Sequence, residues 1–401
     1  MIKLSKQNMI GLMLIMILSV SVYAQKKKAF SFEDAMKFRD LRSVVVSDNG
    51  NWVGYTSNPD RGDGDVFIHS LKDSAKYSIP RGQRLVFSND ENYAASIVLP
   101  KQIETENAKT AKDKPKNGLS LMRLKDGNKT DFENVNKFEF SNDSKWFDYL
   151  KNKNEDLKSE KMKKKIIGSE LNLRHLNSGT EIKIDFVTEF VFDSLSKYLF
   201  YTVSSVDGKR DGIYARELNI EFAPELTIKS SENELYSNIC WSNTTNILAY
   251  IVSTLTKDGK PNNGSLLIWN PMQPAKTQFA LASGSTPKDW YIHHKNQLKW
   301  TFDGKKLFFG LKPVSEKDTL EKEKIKFTDS TFYNSDSILT KRDILVWHWN
   351  DPRISTNQVV WWNENKDRTF TAVYDRTTQK VTQLADLKIL ILQLERMTLL
   401  I

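Results

Sequence analysis

A ten-residue pattern occurs six times along this chain and restricts its fold more than any other feature. The copies are Val46–Tyr55 (VSDNGNWVGY), Phe87–Ser96 (FSNDENYAAS), Phe140–Tyr149 (FSNDSKWFDY), Phe192–Tyr201 (FDSLSKYLFY), Trp241–Tyr250 (WSNTTNILAY) and Trp300–Phe309 (WTFDGKKLFF). Each opens with an apolar residue and a small polar or acidic one, passes through polar or flexible residues, and ends in an alternating strand. In the last copy Asp303-Gly304 supplies the backbone freedom of a tight turn. The second residues, Ser47, Ser88, Ser141, Asp193, Ser242 and Thr301, are separated by 41, 53, 52, 49 and 59 residues. That period with a strand signature predicts a β-propeller blade per repeat, since helix pairs would space apolar residues by three and four.

The second half of each unit agrees. Val66–Leu71, Leu119–Leu124, Leu171–Leu176, Ile213–Leu218 and Ser265–Trp269 are further strands, several of them ending in turn residues. The fold expected is all-β: a propeller of six to seven four-stranded blades, incomplete or imperfectly closed at its C-terminal end. A β-sandwich is the competing fold, and six in-order copies argue against it. The 401 residues exceed what one small core needs, and a propeller meets that length by adding blades around an axis.

The first 24 residues have the layout of an export signal. Lys3 and Lys6 precede the apolar stretch Met9–Val22, and Val22-Tyr23-Ala24 places small residues for cleavage before Gln25. An uncleaved membrane anchor is the alternative. The expected division is therefore 1–24 signal, 25–386 propeller and 387–401 an atypical apolar tail, with a periplasmic or extracellular location. The lone Cys240 can form no intrachain disulfide, so the core alone must stabilise the fold, and beside Trp241 it is expected as a buried structural thiol.

The net charge of +9 falls to +7 without Lys3 and Lys6. Lysines cluster in Lys101–Asn117, Lys151–Lys165 and Lys312–Lys326, each mixed with acids and lacking the interleaved aromatics a nucleic-acid surface needs. They are expected as solvated loops interrupting blades, with a short exposed helix in Lys151–Ile167 and partial disorder in Lys312–Arg342. No nucleic-acid partner is implied, and no membrane contact after signal cleavage.

The residues offer little chemistry. His69 and His175 alternate within strands, His348 lies between two tryptophans, and the adjacent pair His293-His294 would point to opposite faces of a strand, a poor metal site. Ser283-Gly284-Ser285 lacks the second glycine of a nucleophile elbow. Arg61-Gly62-Asp63-Gly64-Asp65 resembles the start of a calcium loop without its closing Glu, so a blade turn is expected there. Trp347 and Trp349, with Val359–Trp362, form an aromatic-rich pair, expected in blade packing rather than as a peptide or carbohydrate platform. No catalytic, metal or cofactor-binding residue is assigned.

The repeated F-S-x-D-x-K-W/Y-x-x-Y turn, the export signal and Asp343–Pro352 (DILVWHWNDP) together resemble the N-terminal propeller of secreted S9 serine peptidases, the prolyl oligopeptidase group, over about Ala29 to Asp386. The resemblance implies a propeller that admits peptides to an α/β-hydrolase domain with a Ser-Asp-His triad. No position here matches the nucleophile motif, so it implies no catalytic residue and no activity in this chain. Leu387–Ile401 has ten apolar residues in fifteen and neither turn nor alternation. A shifted reading frame near Asp386 is expected, or else an amphipathic segment packing on the open propeller. The alternative function is a stand-alone exported propeller binding a protein, peptide or glycan.

Overall fold

The computed structural model describes residues 29–159, 162–219, 223–274, 277–314, 349–350 and 352–387. Four-stranded antiparallel blades follow one another in chain order. Blade one is β1 (Arg39–Val46), β2 (Trp52–Pro59), β3 (Asp65–Ser70) and β4 (Lys76–Pro80); blade two is β5 (Gly82–Phe87), β6 (Tyr93–Val98), β7 (Gly118–Arg123) and β8 (Lys129–Phe132). Blade three is β9 (Val135–Phe140), β10 (Trp146–Lys151), β11 (Ser169–His175) and the start of β12 (Glu181–Phe192). The end of β12 opens blade four and continues to β13 (Tyr198–Val203), β14 (Gly212–Glu217) and β15 (Glu225–Ser230). Phe186, at a positive φ of 62°, bends β12 between its pairing with β11 and its pairing with β13.

Blade five is β16 (Glu234–Ser242), β17 (Ile247–Leu255), β18 (Pro261–Trp269) and β19 (Thr277–Leu281). Blade six joins β20 (Trp290–Tyr291) and β21 (Lys299–Trp300) to β22 (Lys306–Pro313), β23 (Phe370–Asp375) and β24 (Lys380–Gln383). The expected blades are present, and β23 and β24 pair as a hairpin. Among the described residues no sheet joins β1 to a strand of blade six. His348, Trp347, the export signal and residues 388–401 lie outside the described residues.

The repeat has a physical explanation. Its second residue reaches across the turn to accept a backbone N–H five residues on: Trp52 to Ser47 Oγ at 2.9 Å, Tyr93 to Ser88 Oγ at 3.0 Å, Trp146 to Ser141 Oγ at 2.9 Å, Tyr198 to Asp193 Oδ1 at 2.6 Å and Lys306 to Thr301 Oγ1 at 3.0 Å. A small side chain with an oxygen is what this bond requires. The turn closes through a left-handed residue: Gly50, Glu91, Ser144, Ser196 and Gly304 all have φ between 54° and 71°.

Neighbouring turns are chained together by that same left-handed residue. Asn49 N donates to Glu91 Oε1 at 2.9 Å, Asp90 N to Ser144 Oγ at 3.1 Å, and Asp143 N to Ser196 Oγ at 3.0 Å.

The core lies between blades. The repeat's first residue and the one two before it insert into the preceding blade. Leu85 and Phe87 cover Gly54 of blade one, where an added Cβ would meet Leu85 Cδ2 at 2.0 Å. Phe138 and Phe140 pack on Ala95, Ile97, Leu119 and Leu121; Phe190 and Phe192 pack on Trp146, Leu150 and Leu171. Trp241 stacks on Phe200 with ring centroids 5.0 Å apart. Each buried aromatic contributes roughly 1.5–3 kcal/mol by leaving water.

The lysine-rich insertions depart from expectation. Lys101–Asn117 carries a short helix, α2 (Gln102–Asn107), after the N-terminal α1 (Phe32–Met36). The helix expected in Lys151–Ile167 is not formed by its described residues, which are turns and irregular backbone. Nor are the runs wholly solvated: Lys165 and Lys312 are both buried. Lys312 lies within β22 and donates to the Lys366 carbonyl.

Candidate functional site

The residues that carry chemistry are dispersed and mostly occupied by structure. His69 stacks on Tyr55, whose hydroxyl lies 3.2 Å from its Nε2. His175 Nδ1 sits 2.9 Å from Ser178 Oγ in a turn. Ser283–Ser285 is a single 3₁₀ turn at the edge of blade five, its backbone held by Ser265 Oγ. Cys240 lies inside β16, half-buried, and burial pushes its thiol up.

Asp63 and Asp65 are spent on structure, as a blade turn requires. Asp63 Oδ1 accepts the Gln102 N–H at 2.8 Å, and Asp65 pairs with Arg39 at 2.7 Å while accepting the Arg81 N–H.

Two sequence expectations are corrected. His293 and His294 follow β20 in a bend rather than a strand, and their rings meet at 4.3 Å instead of pointing apart. Burial, the His293 ring and Lys295 push His294 down to about 4, and burial lowers His293 as well. Among the described residues no group of three or more His, Cys, Asp or Glu could hold a metal ion. Val359–Trp362, expected in blade packing, instead lie on helix α3 (Ser355–Asn365) with Val359, Val360, Trp361 and Trp362 all exposed.

An open cleft of about 1050 Å³ lies where blades one and two and the link to blade three meet the two insertions. Its floor is the Pro80-Arg81 link, Gly118–Ser120 and Phe132–Asn134; its rim is Glu104, Lys112 and Lys116 of one insertion and Lys153–Asp156 of the other. Lys116 and Glu155 join the two rims across 3.6 Å, and the Arg61–Glu106 pair at 2.6 Å ties α2 to blade one. Arg81, Lys112 and Lys129 alternate around it with Glu104, Asp131 and Glu133. Buried Ser120 lines it with an Oγ that has no hydrogen-bond partner. This lining can bind a polar ligand bearing both charges. It holds no nucleophile with an adjacent base. The sequence showed the charged runs, but not that the fold brings them round one cleft.

A second polar cluster lies on the first strands. Lys137 stands over the Phe190 ring at 4.3 Å and pairs with Glu139 at 3.5 Å. Glu189 Oε2 accepts the Ile239 N–H at 3.1 Å, which fixes the bulge of β16. Asp148, opposite Glu139 in register, is fully buried and neither carboxyl oxygen has a partner. Burial, then the Glu139 charge, hold Asp148 well above the usual carboxylate range.

The chain is a β-propeller protein by its own topology. No protein-family model matches it, and no curated protein matches it in sequence. Its structural neighbours among solved proteins include S9 peptidases and their propeller domains. One is a prolyl endopeptidase, 11% identical with a TM-score of 0.41, the match covering 70% of this chain and 40% of that one. Another is the β-propeller domain of the trilobed protease from Pyrococcus furiosus, 12% identical with a TM-score of 0.37 over 69% of this chain and 80% of that one. An oligogalacturonate lyase in complex with manganese matches at 11% identity and a TM-score of 0.40, over 85% and 75% of the two chains. These likenesses carry no inference about activity.

Proposed function

We propose that this chain is the access-restricting propeller of an S9-type serine peptidase that acts on peptides, with no hydrolytic activity of its own. The supporting observation is that, among the described residues, blade one and blade six share no sheet. A ring unsealed by backbone pairing can part at that seam, which lets an extended chain through while folded substrates stay out. The sequence resemblance in the repeat turns and in Asp343–Pro352 supports the same assignment, together with export through the first 24 residues.

The purified chain is expected to leave a chromogenic dipeptide intact. Turnover that survives metal chelation and repurification defeats the proposal. Resequencing the locus through the Asp386 codon tests the other half: a Gly-x-Ser-x-Gly elbow followed by Asp and His in any downstream frame is the expected result. A hydrolase-free downstream sequence favours the second assignment, an exported propeller that binds a peptide, protein or glycan, for which the mixed-charge cleft is the specific support.

A further inference from the structure

Part of the charge around the mixed-charge cleft is already paired. Lys116 meets Glu155 at 3.6 Å, Glu104 meets Lys101 at 3.2 Å, and Lys129 donates to the Ser78 carbonyl. The rest of the lining sets Arg81, Lys112 and Lys153 against Asp131, Glu133 and Asp156, with no ion pair for any of the six among the described residues. Three charges of each sign leave no net field, so the cleft favours neither an anion nor a cation. It favours a molecule that carries both.

Two places in the lining suit the ends of such a molecule. Ser120, on β7, is 1% exposed, and its Oγ has no hydrogen-bond partner. It lies directly across from Asp131 of β8 in register. A buried hydroxyl left unpaired is costly, and an ammonium held against Asp131 supplies the missing donor. Arg81 stands half-buried at the entry to β5. Its backbone is fixed, the N–H donating to the Gly64 carbonyl at 2.8 Å and the carbonyl accepting the Leu99 N–H at 2.9 Å. Its guanidinium, a planar fork of donors, fits a carboxylate. β5 and β8 are the two edge strands of blade two, so three strand spacings of about 4.8 Å put these places about 14 Å apart. Four extended residues cover that span at about 3.3–3.6 Å each.

The floor between them is apolar, with Ile79, Val98, Leu99 and Leu119 in the lining, and peptide side chains can lie on it. A sugar ring would need an aromatic face. Phe132, the one ring among the lining residues described, is covered by the Tyr149 ring at 4.5 Å and the Arg174 guanidinium at 6.0 Å. We infer that the cleft holds a short peptide by both of its free ends, the ammonium at Ser120 and Asp131 and the carboxylate at Arg81. The inference rests on the second assignment, the exported binding propeller, and names its ligand. It involves blade two and the last strand of blade one, and not β1, where the first assignment places its seam.

The test dialyses the full chain against three pools of random tetrapeptides, one with both ends free, one N-acetylated and one C-amidated, and reads bound peptide by mass spectrometry. The free-ended pool is expected to be retained, and blocking either end to weaken retention about tenfold. Ser120→Ala is expected to weaken retention of the free-ended pool by a similar factor. It leaves the melting temperature of the free chain unchanged or higher, because it removes an unpaired hydroxyl. Arg81→Gln is expected to weaken the free-ended pool and to leave the amidated pool as it was. Asp131→Asn replaces either variant if its melt shows that it is not folded.

Equal retention of the free and blocked pools overturns the inference, as does an Arg81→Gln chain that still prefers the free carboxylate. Neutral oligosaccharides retained in place of the peptides overturn it and leave the second assignment standing. Retention of neither overturns it and removes the cleft's support for that assignment as well.

Discussion

Asp148 points from β10 into the seam between blades three and four, at the position where the same repeat residue is Ala95, Phe200 or Ala249 in other blades. An apolar partner is what the packing there requires. The carboxyl is opposed by Glu139 and only partly relieved by Lys137, so its proton is held more tightly in the folded chain than in the unfolded one. The sign follows: the native state gains relative stability below the unfolded value of 3.8 and loses it as pH rises toward the folded value. Asp148→Asn is therefore expected to raise the melting temperature at pH 7–8 and to leave it nearly unchanged near pH 4. Parallel melts across that range check it, and an equal gain at both ends sinks the assignment to ionisation.

Lys165 poses the reverse case. Its ammonium meets Asp211 at 2.5 Å and donates to the Ser205 carbonyl at 2.7 Å, while Ser205 N–H donates to Asp211 at 2.7 Å. Both charged side chains are buried, and the Asp258 carbonyl accepts the Lys164 N–H at 2.8 Å beside them. The insertion of blade three is thus pinned across blades four and five. Lys165→Met removes one partner and leaves the other charge buried, at a cost of about 3–5 kcal/mol. Urea denaturation measures it, with Lys163→Met, an exposed neighbour in the same run, as the near-neutral control. In the sequence Lys165 is one lysine among many; only a tertiary contact separates it from its solvated neighbours.

At the scale of the element, the turn and the inserted pair behave as a unit whose worth depends on having a neighbour. Phe87→Ala empties a space between blades one and two and is expected to cost about 3–5 kcal/mol. Val46→Ala, at the same repeat position on an exposed strand, is expected to stay within about 0.5 kcal/mol. Paired unfolding curves decide this, and a Val46→Ala cost above about 1 kcal/mol shows that blade one is covered in solution. Glu91 joins two turns: it accepts the Asn49 N–H and the Asn51 side-chain amide. Burial acts against its charge, but the hydrogen bonds from Ser47, Asn51 and the backbone outweigh it and hold the carboxyl low. Glu91→Ala is expected to cost about 1.5–3 kcal/mol, the range for hydrogen bonds to a charged group.

These elements were largely legible in the sequence, because strand alternation and turn chemistry are local. The six turns and the second strands lie where the pattern placed them. The exceptions are instructive. His293-His294 and Val359–Trp362 sit beside strands without belonging to them, and no local periodicity distinguishes a bend or an exposed helix from the end of a strand. The cleft was not legible either, since its lining comes from two blades, the link to a third and two insertions separated by up to 77 residues, from Ile79 to Asp156.

For the whole molecule, the sequence by itself determined the repeat, and with it the all-β class, the succession of blades and the turn that defines each one. It could do so because most blades obey the same local rules: an oxygen side chain to close the turn, a left-handed residue to reverse it, and an apolar pair aimed backward; the turn of blade five departs, with Ser242 Oγ on Thr245 and the left-handed residue one place later at Asn246. Tertiary structure alone decided what those pairs meet. Five of the six find a preceding blade and become core, while the first, Val44 and Val46, finds none among the described residues and is exposed. The same chemistry is buried or exposed according to what lies across from it, and a local pattern carries no record of that.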